Sequence, residues 1–276
     1  MRPRRRENTR TASTGASERL LRYRNLINPF EPVRVFSEEE VERIHEAALG
    51  ILERQGMRCL SPRGRAVLAA GGASVDETTH MVRIDRSIIN AALTTIPAEV
   101  NLIARNPARN CRVGGRHVVF APVSGPPAVS DQTTGKHSGT MDDYRDWVRL
   151  SQAFDVIHVL GQMVEPQDAP VEIRHLETTF AQLTLGDKVP YFYCRGDGQL
   201  EDNFEMLRMA LGIDLATFRS QPHCYSICNT NSPLQLDLPM TDGILKFAEN
   251  GQLVIITPFT LAGAMAPITI AGALTL

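Results

Sequence analysis

Four short apolar runs, at residues 156–164, 189–194, 223–228 and 253–256, recur about every 30 residues, with helical patterns between them. This alternation constrains the chain more than any other feature. Strands joined through helices run parallel, because no tight turn can link parallel neighbours. The runs are almost continuously apolar, as in strands buried on both faces. Leu253, Val254, Ile255 and Ile256 show this best, ahead of the breaker Pro258. The rhythm predicts an α/β fold over residues 140–276. It leaves two closures open, an open doubly wound sheet and a (β/α)8 barrel of the TIM type.

The intervening helices carry their own signals. Thr140 and Asp143 make a capping-box-like start for a helix bearing Trp147, Leu150 and Phe154. Residues 171–185 put Ile173, Leu176, Phe180 and Leu183 on one stripe. Helices are predicted over 202–211 and 241–250, the second closed by Asn250-Gly251. After small residues at 260–266, Pro267 suits the first turn of a helix from Ile268 onward. That pattern is still apolar at Leu276, with no capping glycine or basic last turn. The expectation is the first part of a longer barrel.

Residues 28–139 read as a small α+β layer ahead of the barrel. Ser37 and Glu40 form a capping box for a helix with Val41, Ile44, Ala48 and Ile51 on one face, ending at Gly56. A second helix, 87–95, stops before Pro97. Strand-like runs at 100–104, 112–113, 117–120 and 127–130 follow, with turns at Gly114-Gly115 and Thr134-Gly135. His45-Glu46 starts like a zinc-protease helix, but Leu49 stands where the second histidine is required. Residues 1–27 form a basic arm, with eight arginines against two glutamates up to residue 25. It is expected to be disordered and dispensable, since it cannot bury enough surface to offset ordering.

A net charge of −2 over 276 residues argues against bulk attraction to nucleic acid or anionic membrane. No apolar run is long enough to span a bilayer, and no signal-peptide pattern is present. Five scattered cysteines suit reduced thiols, and a cytoplasmic location is expected. No glycine fingerprint for a dinucleotide or S-adenosylmethionine follows the first strand, and no P-loop occurs, so neither NAD nor S-adenosylmethionine is expected. Cys224 and Cys228 have the spacing of an iron–sulfur motif, but Asn231 stands where the third cysteine belongs. On one strand the two thiols sit roughly 13 Å apart, too far to share a metal, so no metal site is assigned.

In a parallel barrel the site lies at the C-terminal ends of the strands. Those ends read Gln162, Met163 and Glu165; Tyr193 and Arg195; Asn229, Thr230 and Asn231; Phe259 and Thr260. As a set they suit a polar cavity with an apolar wall. No Ser-His-Asp set, metal cluster or carboxylate pair stands out, and the catalytic residues are unassigned.

The segment PFTLAGAMAPITIAGAL closely resembles the trimethylamine methyltransferase family. So do FSEEEVERIHEAALGILERQGMR, IPAEVNLIARNP, APVSGPPAVSDQTTGKHSGTMDDYRDWVRLSQAFDVI and CNTNSPLQLD, and the match spans roughly residues 28–276. The resemblance implies a (β/α)8 barrel of nearly twice this length, present here as its N-terminal half. It implies methyl transfer from a methylated amine, trimethylamine or a quaternary amine such as glycine betaine, to the Co(I) corrinoid (cobalamin) of a partner protein. Trimethylamine-specific members carry pyrrolysine, at a position that would lie beyond residue 276, so the amine is left open. A methylammonium ion needs an aromatic wall, for which Tyr193, Tyr225 and Phe259 are candidates. Glu165 could balance its charge, and Asn229, Asn231 and Thr260 complete the expected substrate-binding set. A homo-oligomer is expected for the full-length protein. The competing expectation is a non-catalytic α/β fragment or interaction module.

Overall fold

The computed structural model describes residues 23–231 and 233–276, so the basic arm lies, up to residue 22, outside the described residues. Helix α1 (Glu38–Arg54) opens on the expected capping box. Ser37 Oγ accepts from the Glu40 amide, and the Glu40 carboxylate accepts from the Ser37 amide. The chain then enters a sheet that no periodicity announces: β1 (Met57–Cys59), helix α2 (Pro62–Ala70), β2 (Ser74–Asp76) and β3 (Met81–Arg83). Three-residue strands are too short to display alternation. A two-residue strand from far downstream, Gln235–Leu236, adds in parallel to β1, and the sheet order is Gln235–Leu236, β1, β3, β2. Helix α3 (Arg86–Leu93) ends before Pro97, as expected. Two antiparallel hairpins follow, β4 (Glu99–Leu102) with β5 (Cys111–Gly114), and β6 (Ala128–Asp131) with β7 (Gly135–Ser138).

The parallel region begins with α4 (Met141–Ala153), whose Thr140–Asp143 capping box is complete. The segment 156–164 is extended but joins its neighbour only through the Val159–Val189 bridge. Its other side is taken up by upstream chain, with the His158 amide on the Phe120 carbonyl and the Gly125 amide on the Gln162 carbonyl. Helix α5 (Val171–Leu185) leads to the second segment, bridged from Tyr191 to Tyr225. Helices α6 (Asp197–Leu211) and α7 (Leu215–Ser220) precede β8 (Tyr225–Thr230). Helix α8 (Leu238–Glu249) then returns the chain to β9 (Leu253–Pro258), and α9 (Ile270–Thr275) ends it. Strand β8 pairs with β9 in parallel, with Tyr225 opposite Leu253 and Asn229 opposite Thr257. The four parallel neighbours thus stand in sequence order, and no closed barrel forms among the described residues.

Each face has its own core. The outer face buries Phe192, Cys194 and Cys228 beneath Leu200, Phe204 and Phe247 of the helices. Gly243 lets α8 come close, since a Cβ there would stand 2.6 Å from Cys194 Sγ. The inner face buries Val159, Val189, Tyr191 and Tyr225 against Leu102, Ala104 and Cys111, so the β4–β5 hairpin plugs one end. At the α8–β9 turn Gly251 has φ +64°, and a Cβ would meet the Arg219 carbonyl at 2.2 Å, so only glycine fits.

Three expectations need correction. The stripe Ile173, Leu176, Phe180 and Leu183 is not the buried face of α5. Thr178, Thr179, Ala181 and Gln182 are buried, and Phe180 is 60% exposed. The cause is hydrogen bonding. The Gln182 amide donates to the Tyr191 carbonyl at 2.9 Å and accepts from the Tyr191 amide at 3.0 Å, acting as a substitute strand partner. On α4 the buried residues are Met141, Tyr144, Val148 and Ser151, whereas Trp147, Leu150 and Phe154 line an open apolar groove with Val123. Helix α6 starts at Asp197, five residues before the expected 202, because Asp197-Gly198 reads as a turn while Leu200 and Phe204 anchor the first turns in the core.

Two buried histidines tie the layers together. His158 lies between Tyr23 and Phe120, its Nδ1 accepting from the Phe120 amide at 3.0 Å and its Nε2 donating to the Arg24 carbonyl at 3.1 Å. His223 stacks on Phe218 at 5.8 Å. Burial holds both below the ordinary histidine range. The unfolded chain therefore takes up protons that the folded one refuses. Stability is full above the unfolded value, about 6.5, and is lost as the pH falls below it. The melting temperature should drop from pH ~7.5 to pH ~5, and His223→Phe, which keeps the stack, should flatten that drop.

Candidate functional site

The C-terminal ends of the four parallel segments form a rim, opposite the end plugged by the β4–β5 hairpin. Glu165 follows the first segment and is anchored by its amide on the Pro126 carbonyl at 2.9 Å. Tyr193 ends the second segment, with its ring edge-on to Tyr191 at 5.4 Å. Asn229 is exposed near the end of β8, and its Oδ1 accepts from Thr257 Oγ1 of β9 at 2.5 Å. Phe259, 51% exposed, and the partly buried Thr260 follow β9.

Two of the sequence candidates have structural work to do. Asn231 holds a tight return, bridging to Gln235 and accepting at Oδ1 from the Asp237 amide at 3.0 Å. Tyr225 does not reach the rim. It is the first residue of β8, is only 3% exposed, and donates its hydroxyl to the Leu160 carbonyl at 2.8 Å. Strand alternation explains this: Tyr225, Ile227 and Asn229 share the inner face, and only the last two stand above the plug. Tyr225 is therefore a core residue, not an accessible aromatic wall.

Between the first two strand ends and the helices α5 and α6 lies a cavity of about 70 Å³, lined by Glu165, Arg174, His175, Tyr193, Arg195 and Asn203 among others. Arg174, in the first turns of α5, places Nη1 3.2 Å from Glu165 and spends Nε and Nη2 on the Ala169 carbonyl. Arg195 approaches Glu165 only to 3.9 Å, and its guanidinium lies over the Tyr193 ring, 4.5 Å from the centroid. The ring face that sequence reasoning offered to a methylammonium ion already carries a cation. The charge of Glu165 is likewise already answered by Arg174. The Tyr193 hydroxyl is buried beside Gly125 with no hydrogen-bond partner among the described residues, and burial raises its pKa well above the ordinary value, so it remains a donor. His175 Nε2 meets Asp202 at 2.9 Å.

Sequence reasoning missed the two arginines as a pair. The strand-end position of Arg195 was legible. Arg174 was hidden inside a helix whose expected buried stripe was the wrong one. Lys188 was missed too. Buried behind the second segment, it donates to the Ser151 and Phe154 carbonyls at the end of α4, and burial lowers its pKa to about 8. One variant tests the placement of Tyr225: Tyr225→Phe strands a buried carbonyl and should cost ~1–2 kcal/mol in denaturant unfolding, while ligand binding at the rim is unchanged.

The model of the trimethylamine methyltransferase (MTTB) family matches residues 2–276. Among curated proteins, the chain is 31% identical over 243 residues to the glycine betaine methyltransferase of Desulfitobacterium hafniense strain Y51, covering 88% of this chain and 50% of that protein. It is 25% identical over 253 residues to the L-carnitine:corrinoid methyltransferase of Eubacterium limosum, covering 86% of this chain and 50% of that one. It is 23% identical over 256 residues to the trimethylamine methyltransferase MttB of Methanosarcina thermophila, covering 91% and 53%. The chain spans about half the length of the curated relatives it matches. It belongs to the trimethylamine methyltransferase family.

Proposed function

We propose that residues 140–276 are the first half of a (β/α)8 barrel, that residues 28–139 are its N-terminal α+β region, and that the complete enzyme moves a methyl group from a methylated amine to the Co(I) corrinoid of a partner protein. The observation that carries the reading is the order of the parallel segments, first to fourth without reversal, with family residues spread along the same stretch. A doubly wound sheet reverses its order at a switch point, whereas a barrel adds each strand beside the last. The relatives' names supply the chemistry, since they act on glycine betaine, L-carnitine and trimethylamine.

In this reading the corrinoid is the methyl acceptor, brought by its own protein, and Co(I) supplies the nucleophile. The chain's part is to bind and orient the amine. A quaternary ammonium leaves as a neutral tertiary amine, so such a substrate asks for no general acid from this half. The rim suits that task. Ile227, Asn229 and Phe259 stand exposed around an open mouth, and the arginine-lined cavity lies beside it. Glu165, Tyr193, Asn229, Asn231, Phe259 and Thr260 are the proposed substrate-binding set, with Tyr225 beneath them as support. A cytoplasmic location and a homo-oligomer fit the same reading, and among the described residues no helix is long and apolar enough to cross a membrane.

The test follows loss of the Co(I) absorbance when a corrinoid protein is mixed with a panel of methylated amines. The chain extended to the relatives' length should catalyse it, and residues 1–276 alone should not. Phe259→Ala should raise KM for a quaternary amine by the worth of one cation–π contact, ~0.5–2 kcal/mol or roughly two- to thirty-fold. If no amine in a broad panel consumes Co(I), the reading fails. If transfer proceeds and Phe259→Ala leaves the kinetics unchanged, the function stands and the assigned site is wrong.

A further inference from the structure

Helix α4 has an inner face and two flanks, and one flank has no partner among the described residues. Met141, Tyr144, Val148 and Ser151 face inward and are buried. Arg145, on one flank, stands 3.9 Å from Glu177 of α5. Residues two apart on a helix point about 200° apart, so Trp147 lies on the opposite flank, with Leu150 and Phe154 near it. These three are 39%, 44% and 50% exposed, and with Val123, Pro126 and Ile157 they line a groove of about 450 Å³. Apart from two serines the lining is apolar throughout. An open apolar groove of this kind marks a surface that another element covers.

The opposite wall of the groove indicates which element. It belongs to the stretch 119–126, whose prolines at 122 and 126 lack the donors of a regular ladder. The stretch nevertheless runs beside the first segment and in the same direction. The His158 amide donates to the Phe120 carbonyl, the Gly125 amide to the Gln162 carbonyl and the Glu165 amide to the Pro126 carbonyl, so the partner numbers rise together. Gly161 permits the close approach, since a Cβ there would stand 3.3 Å from the Pro122 carbonyl oxygen. The path from 119–126 through α4 to the first segment is therefore a parallel crossover, like those that follow it. With it, five parallel stretches stand side by side in chain order, and an eight-stranded barrel needs three more. In such a ring each helix lies between its predecessor and its successor. Helix α5 is the successor of α4, and the predecessor of the first helix is the last one of the barrel.

We propose that this groove is the seat of the barrel's last helix, supplied by the polypeptide that follows residue 276 in the complete protein, and that residues 119–126 are the barrel's leading strand. The inference rests on the barrel reading above and moves the start of the barrel from residue 140 to residue 119. The curated relatives are about twice as long as the stretch matched here, which leaves room for three further strand–helix units. The occupant is an amphipathic helix whose apolar stripe meets Trp147, Leu150 and Phe154 and brings no charge into the groove. Its docking closes the ring and so fixes the shape of the rim.

Hydroxyl-radical footprinting read by peptide mass spectrometry tests this on two chains, residues 1–276 and the chain extended to the relatives' length. Trp147, the chain's only tryptophan, should be oxidised about fivefold more slowly in the long chain, in step with its exposure falling from 39% to the buried range. Leu150 and Phe154 should follow it. Leu150→Arg should lower the melting temperature of the long chain and leave that of the 276-residue chain unchanged. A photo-cross-linker identifies the cover: Leu150→p-benzoylphenylalanine in the long chain should attach within the same molecule to the last strand–helix unit. Equal oxidation in the two chains, protection already present in residues 1–276 as a second copy would give, or a cross-link to any other peptide overturns the seat. The Co(I) assay separates this failure from that of the function. Methyl transfer by a long chain whose groove stays reactive sinks the seat alone, whereas protection without transfer from any amine keeps the seat and sinks the function.

Discussion

The parallel region depends on one residue, Tyr225 in the third strand segment, which hydrogen-bonds to the first and second segments and stands in register with the fourth. Its carbonyl accepts from the Phe192 amide, its amide donates to the Pro190 carbonyl, its hydroxyl reaches past the second segment to Leu160 in the first, and it pairs with Leu253 in the fourth. The segments need such a link because the ladder between them is thin: the first two share a single bridge, and so do the second and third. Where backbone pairing runs out, side-chain amides replace it. Gln182 bonds both polar groups of Tyr191, and Gln252 accepts from the His223 and Cys224 amides while donating to the Phe218 carbonyl. Buried peptide groups must be paired, and in a short parallel sheet the crossover helices are the nearest source of partners.

That requirement explains the inverted helix α5. A helix that must present Gln182 and Thr179 to the sheet and to Asn203 cannot also turn Phe180 inward, since the residues lie on different faces. Phe180 and Ile173 are left exposed, as are Trp147 and Phe154 on α4. Hydrogen-bond satisfaction thus outweighs the burial of one aromatic ring. Leaving the Gln182 amide and the backbone N–H and C=O of Tyr191 unsatisfied would cost several kcal/mol, against about 1.5–3 for one fully buried large side chain.

The two ends of the parallel segments divide the work. One is closed by the β4–β5 hairpin and holds the aromatic and aliphatic core of Tyr191 and Tyr225. The other carries the charges, Glu165, Arg174 and Arg195, with the aromatic ring of Tyr193 between core and cavity. Closing one end keeps water from the tyrosine core and leaves the polar and charged residues at the open end. The N-terminal layer is tied to the parallel region at several points, two of them near its small sheet. Gln235–Leu236 extends its sheet, and Ser61 donates to Asp242 at 2.6 Å.

Much of this was legible in the residues. The alternation of apolar runs and helical stripes pointed to parallel strands, because parallel neighbours need crossover connections, and it left the order of the strands in the sheet open. The capping boxes at Ser37 and Thr140 and the glycine at 251 marked element ends, because those signals act within a few residues of themselves. The strand-end positions of Glu165, Tyr193, Arg195, Asn229 and Phe259 followed from the same rhythm. Tertiary structure decided which face of α5 is buried, that Tyr225 is a core residue, that the Tyr193 ring carries Arg195, and that Glu165 is already paired. These depend on partners distant in sequence, Gln182 with Tyr191, Tyr225 with Leu160 and Arg174 with Glu165, and periodicity along one segment carries no information about what the neighbouring segment needs.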